Sequence, residues 1–142
     1  MNRLLLLLCA FITISFGPPP AVRSNGCYKS SSEDHTITGR YYLRFYNDGT
    51  VIEYEQPNTI LVNFDSRTLG KILQKEGSEK FPVKQGQYFI KESAIKITLT
   101  QSNETVTYEG TVSKYTLKVQ RHSNRTNNRT DMELSFQKLA GK

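Results

Sequence analysis

An all-β chain is predicted: an antiparallel up-and-down meander of about eight strands that closes into a barrel, with one short helix near residues 67–75. Three observations lead there. Alternating runs recur from Gly39 to Leu139, and turn pairs separate many of them: Asp48-Gly49, Glu92-Ser93, Ser102-Asn103 and Ser113-Lys114. The pairings these turns impose keep one face apolar from strand to strand. Closure also removes the free sheet edges that a chain of this kind would otherwise expose.

The first hairpin runs from Gly39 to Glu55, GRYYLRFYNDGTVIEYE. Asp-Gly between alternating runs favours a two-residue turn, because both central residues need φ > 0. Asp48-Gly49 as that turn sets Phe45 against Ile52, Leu43 against Tyr54 and Arg44 against Glu53, separating apolar pairs from a charge pair. A three-residue loop over Asn47 to Gly49 would set Leu43 against Glu53 and Arg44 against Ile52, mixing the faces, so the two-residue turn is expected. The expected inner face is Tyr41, Leu43, Phe45, Ile52 and Tyr54.

Thr59 to Phe64 is a β-branched run and is expected as a third strand. Ser66 is a candidate N-cap for a helix whose Leu69, Ile72 and Leu73 form one apolar stripe, ended by Gly77. That stripe needs a surface to cover, and outward Tyr42, Tyr46 and Phe89 are candidates for it.

The second half pairs itself. A Glu92-Ser93 turn sets Ile90 against Ile95 and Tyr88 against Ile97, and a Ser102-Asn103 turn sets Ile97 against Tyr108 and Lys96 against Glu109. A Ser113-Lys114 turn sets Val112 against Tyr115, Gly110 against Leu117 and Tyr108 against Val119. Gly110 in mid-strand marks a bend or a close approach. Asp131 to Leu139 is the last strand, with Met132, Leu134 and Phe136 inward.

Residues 1–24 read as a signal peptide: Arg3, an apolar Leu4–Phe16 run, a Pro-rich break and cleavage after Ser24 or Gly26. Export to the extracellular space or a periplasm follows. Residues 25–37 form a polar, Ser-rich lead-in and 38–139 the barrel domain. Cys9 leaves with the leader, so Cys27 has no intrachain disulfide partner. Cys27 follows a small residue, as at a lipoprotein site, but Ser24 stands where Leu or Val is needed, so lipid anchoring is the lesser reading. After the leader no stretch is long and apolar enough for a membrane-spanning helix.

The strand opening Gly39-Arg40-Tyr41-Tyr42 resembles the Gly-x-Trp-Tyr start of lipocalins, with Tyr41 in the Trp place. The run Leu43 to Val51 is similar to an opening that recurs in small bacterial lipocalin-like domains. The chain departs from that family in having no Trp, no Thr-Asp-x-x-Tyr motif and an early helix. The resemblance implies a lipocalin-like barrel that binds a small apolar or amphipathic ligand.

Inward tyrosines and the mid-strand glycine are the expected ligand-binding set: Tyr41, Tyr54, Tyr88, Tyr108, Gly110 and Tyr115. Lys118, Arg121, Arg125 and Arg129, near His122, form a basic cluster suited to an anionic surface or a protein partner. The alternative function is a non-enzymatic interaction or inhibitor module with a packed core. No catalytic residue, metal site or cofactor is expected: His35 and His122 have no Cys or carboxylate at a recognisable spacing, and there is no phosphate loop. Of 19 basic residues two leave with the leader, and against 13 acidic ones the remaining +4 is too little to argue for nucleic acid. A monomer is expected. Asn103, Asn124 and Asn128 head sequons that matter only in a glycosylating host.

Overall fold

The computed structural model describes residues 21–31, 39–59, 62–77 and 80–140. Most of the leader and the second half of the lead-in, including His35, lie outside them. Eight antiparallel strands form a closed barrel in simple sequence order: β1 (Gly26–Ser30), β2 (Gly39–Phe45), β3 (Thr50–Pro57), β4 (Val83–Lys91), β5 (Ala94–Gln101), β6 (Glu104–Val112), β7 (Thr116–Ser123) and β8 (Arg129–Lys138). Pairing of β1 with β8, Tyr28 opposite Phe136, closes the ring. One helix, α1 (Ser66–Ile72), lies in the β3–β4 connection. Among the described residues no helix is long and apolar enough to cross a membrane.

The meander registers of β4, β5 and β6 are those the turns imply: Tyr88 opposite Ile97, Ile97 opposite Tyr108, and Lys96 opposite Glu109 with their charges 3.5 Å apart. The strand count is as expected, but its membership is not. The eighth strand is β1, inside the expected lead-in. The described residues of the Thr59 to Phe64 run form no strand: Thr59 is in a turn and 62–64 are irregular, while 60–61 lie outside the described residues.

The first hairpin adopts the three-residue loop. Tyr46 N donates to Thr50 O at 2.9 Å, Gly49 N donates to Tyr46 O at 3.2 Å, and Gly49 takes φ 88°. Phe45 therefore pairs with Val51, Leu43 with Glu53 and Arg44 with Ile52. The one-residue change turns all of β3 over: Ile52 and Tyr54 face outward, and Glu53 and Glu55 face into the barrel. The cost that would forbid an outward Ile and Tyr is removed by α1. Its stripe of Leu69, Ile72 and Leu73 is buried against Cys27, Tyr42, Ile52 and Tyr54, with Tyr46, Phe64 and Phe81 at the margin. Each fully buried Leu or Ile of this outer layer contributes about 1.5–3 kcal/mol. Asp65, not Ser66, caps the helix, its carboxylate accepting from Thr68 N at 2.7 Å. Tyr42 and Tyr46 are under this cover as expected, the latter through Tyr46 OH to Leu73 O at 2.6 Å, whereas Phe89 on β4 is 73% exposed.

The β6–β7 loop is two residues longer at its β7 end than expected. Val112 pairs with Leu117, Gly110 with Val119 and Tyr108 with Arg121. A shift of two keeps every face, so Leu117, Val119 and Arg121 point inward, but Tyr115 is moved into the loop and Arg121 is set opposite Tyr108.

The barrel interior has two halves. Around the β2–β3, β4–β5 and β6–β7 turns it is filled by Tyr28, Leu43, Phe45, Tyr88, Ile97 and Leu117. Val22 packs on this cluster, and the Arg23 guanidinium lies 4.8 Å from the Tyr115 ring and 4.9 Å from that of Phe136. Towards the opposite end the interior becomes charged.

Cys27 is fully buried in the outer layer, and burial pushes its thiol up to about 11. A raised pKa withholds the thiolate, which is the reacting form. At pH 8 the Cys27 peptide is expected to resist alkylation in the folded protein and to be labelled at the rate of a free thiol in urea. Peptide-level mass spectrometry reads both; fast native labelling would mean that the layer under α1 opens.

Candidate functional site

The charged half is built from inward positions of four strands. Glu53 and Glu55 come from β3, Lys84 from β4, Glu104 from β6 and Arg121 from β7, with Tyr41 and Tyr108 beside them. Lys84 is the cross-strand neighbour of Glu53, and Arg121 that of Tyr108. Arg121 spans the interior to Glu53, its Nη2 at 3.3 Å from Oε1 and its Nε at 3.4 Å from Oε2. The Tyr108 hydroxyl donates to Glu53 Oε2, and Arg121 Nε lies 3.1 Å from that hydroxyl oxygen. The Arg121 guanidinium also stands 4.6 Å from the Tyr41 ring centre. The Glu53 side chain has no exposed surface, so it forms the floor of the cluster.

Above Glu53 the contacts lengthen. Lys84 Nζ is 3.5 Å from Glu53, 3.8 Å from Glu55 and 3.7 Å from Glu104. Glu55 Oε1 accepts from Tyr41 OH at 3.1 Å, and Glu104 Oε1 from Ser123 Oγ at 2.7 Å. A cavity of about 570 Å³ opens over these groups, walled by Tyr41, Glu55, Lys84, Glu104 and Arg121. Arg125, Thr126, Asn128 and Arg129 of the β7–β8 loop and strand end complete its wall.

The electrostatics follow the geometry. Burial and the charge of Glu53 raise the Tyr108 phenol well above its ordinary value, so it stays a donor. Burial alone would lower Arg121, but its contacts with the Tyr108 hydroxyl and the Glu53 carboxylate carry it upward. Burial would raise Glu104; the Ser123 hydroxyl with Lys84, Arg125 and Arg121 outweighs it and holds the carboxyl below the ordinary range.

The expected ligand-binding residues are dispersed. Tyr41 lines the cavity, and Tyr108 lies directly beneath it. Tyr88 is interior but at the opposite end, its hydroxyl donating to Tyr46 O at 2.8 Å. Gly110 also belongs to that end, where the β7 backbone approaches it closely. Tyr54 lies outside the barrel under α1, because β3 is turned over. Tyr115 is half exposed in the β6–β7 loop. Of the basic cluster, Lys118 is on the outer surface and Arg125 and Arg129 line the cavity, but Arg121 is buried inside rather than displayed. Half-buried His122 places Nε2 3.2 Å from Asn127 Oδ1. Among the described residues no cluster of His, Cys, Asp and Glu is arranged to hold a metal ion. Glu53, Glu55, Lys84 and Glu104 were not expected in a site. Lys84 and Arg121 do fall on the inward parity of otherwise apolar strands, which is the signal for a buried acid elsewhere.

No protein-family model, curated protein or solved structure matches this chain. The fold therefore rests on its topology, an all-antiparallel eight-stranded barrel in meander order, compatible with a lipocalin-like fold.

Proposed function

We propose that the protein is an exported, non-enzymatic lipocalin-like barrel that takes a small polar or amphipathic ligand by its polar end into the charged mouth. The observation that carries this is a concave mouth at one barrel end, lined by charged side chains over the buried Glu53–Arg121–Lys84 network. A wholly apolar cargo suits it poorly. The walls are carboxylates and cations, and the apolar half beneath is occupied by its own side chains. Packing of Val22 and Arg23 on the closed end supports leader removal before Val22, not after Ser24.

Native mass spectrometry of the mature protein from its host tests this. The expected result is an N-terminus before Val22 and extra mass that solvent extraction removes. The exposed pair Arg125→Ala and Arg129→Ala should lower its occupancy about tenfold or more. A clean mass, with no shift in melting temperature from any polar probe, would favour the second reading, an interaction module with a filled core. The observation behind that reading is Phe89, a large apolar side chain standing 73% exposed on the outer face of β4.

A further inference from the structure

We infer that the mouth is built for a small zwitterion, with a primary ammonium held inside and a carboxylate or phosphate held at the rim. This rests on the mouth being a binding site. The inner tier sets three carboxylates, Glu53, Glu55 and Glu104, against two cations, Lys84 and Arg121. Lys84 and Arg121 are 11% exposed and Glu104 15%, while Glu55 at 35% faces the opening, so the excess acid charge lies where an entering ligand reaches it. Arg125 acts on Glu104 from the rim, and a ligand cation beside Glu55 completes the balance.

The hydrogen bonding points the same way. Glu55 Oε1 and Glu104 Oε1 each have a hydroxyl donor, from Tyr41 and Ser123. Their Oε2 atoms face Lys84 at 3.8 and 3.7 Å, and Glu55 Oε2 faces Arg121 at 3.7 Å, all beyond hydrogen-bond distance. Both residues line the cavity. Among the described residues two carboxylate oxygens thus lack a close donor, and a primary ammonium brings three N–H groups to them. A quaternary ammonium brings none, and the aromatic face that could hold it, Tyr41, is already covered by Arg121.

The rim has the opposite sign. Arg125 and Arg129 are exposed and line the outer wall; Arg129 donates one N–H to Gln120 at 3.3 Å. Their planar guanidinium donors suit a carboxylate or a phosphate. The polar side chains of Gln101, Thr126 and Asn128 also line the cavity. Negative inside and positive outside is the pattern that fixes a zwitterion in one orientation.

Titration calorimetry on the mature protein tests this with phosphoethanolamine, β-alanine, ethanolamine, inorganic phosphate and phosphocholine. Phosphoethanolamine or β-alanine should bind about tenfold or more tighter than ethanolamine or phosphate, and phosphocholine about tenfold weaker than phosphoethanolamine. Arg125→Ala, at an exposed position, should weaken the zwitterions and phosphate and leave ethanolamine unchanged. Glu104→Gln should weaken the zwitterions and ethanolamine and spare phosphate. Preference between the two zwitterions identifies the acid. Binding to phosphatidylethanolamine but not phosphatidylcholine vesicles would identify a lipid headgroup as the source, and soluble binding alone a free metabolite. Equal binding of a zwitterion and one of its halves, tight phosphocholine binding, or no heat from any probe at millimolar concentration would overturn the inference. A non-zwitterionic polar cargo in the mass spectrum would overturn it while leaving the binding barrel standing.

Discussion

Replacing Glu53 by alanine should lower the unfolding free energy by about 3–5 kcal/mol, the cost of removing one partner from a buried ion pair. The Glu53 side chain is wholly enclosed, and both cations that face it, Lys84 and Arg121, are 11% exposed. Removing the carboxylate takes the acceptor from the Tyr108 hydroxyl and leaves Lys84 and Arg121 only their longer acid contacts, 3.8 and 3.7 Å from Lys84 to Glu55 and Glu104 and 3.7 Å from Arg121 to Glu55, in a place water reaches poorly. Glu53→Gln should cost less, because its amide oxygen can still accept from Tyr108 and Arg121. A combined Glu53→Leu, Lys84→Met, Arg121→Met variant should recover much of the loss, since a buried ion cluster and an apolar one of similar volume often differ little. Urea unfolding, with an unchanged slope against denaturant, reads all three. A loss under about 1 kcal/mol for the alanine variant would mean that Glu55 takes over the role. If the triple variant stays folded but takes up no cargo, the network exists for binding and not for stability.

Glu53 also shows where the sequence was legible and where it was not. The meander from β4 to β6 was readable because each strand there has one apolar face and each turn is two residues long, so register and inside-outside assignment agree. The segment Val51–Gln56 has no such agreement. Ile52 and Tyr54 lie on one face and Val51, Glu53 and Glu55 on the other, and alternation alone sends the acids to water. The deciding fact is tertiary: α1 covers the outside of this hairpin, so its outer face had to be apolar on β3 as well as on β2. The helix stripe and outward Tyr42 and Tyr46 were visible in the sequence, and extending that cover to the neighbouring strand would have selected the three-residue loop. Strand β1 was hidden for another reason. It is five residues long in a polar context, pairs with β2 through only Tyr28–Leu43 and Lys29–Tyr42, and finds its longer ladder on β8, more than a hundred residues away. The site followed the register: with β3 reversed, Tyr54 was placed inside and the three acids that organise the mouth were missed.

Two glycines should carry the other large effect, and a third should respond in the opposite direction. A Cβ on Gly110 would stand 2.0 Å from Lys118 O and 2.8 Å from Val119 Cα; one on Gly86 would stand 1.8 Å from Thr98 O and 2.8 Å from Leu99 Cα. These neighbours are the backbones of paired strands, so no side-chain rotation relieves the clash, and the β6–β7 or β4–β5 ladder has to part. Gly110→Ala and Gly86→Ala are each expected to cost about 3 kcal/mol, the upper end of the range for overpacking. Gly70 sits in α1 with nothing within 4 Å of its would-be Cβ. There alanine removes only unfolded-state freedom, and Gly70→Ala should stabilise by about 0.5–1 kcal/mol. The same chemical change thus separates strand contact from chain entropy, and thermal melts of the three variants in parallel measure both. Neutral behaviour at Gly110 would mean that β6 and β7 do not approach as closely as this register requires. Because that register also places Arg121 opposite Tyr108, the result bears on the mouth as directly as on the barrel wall.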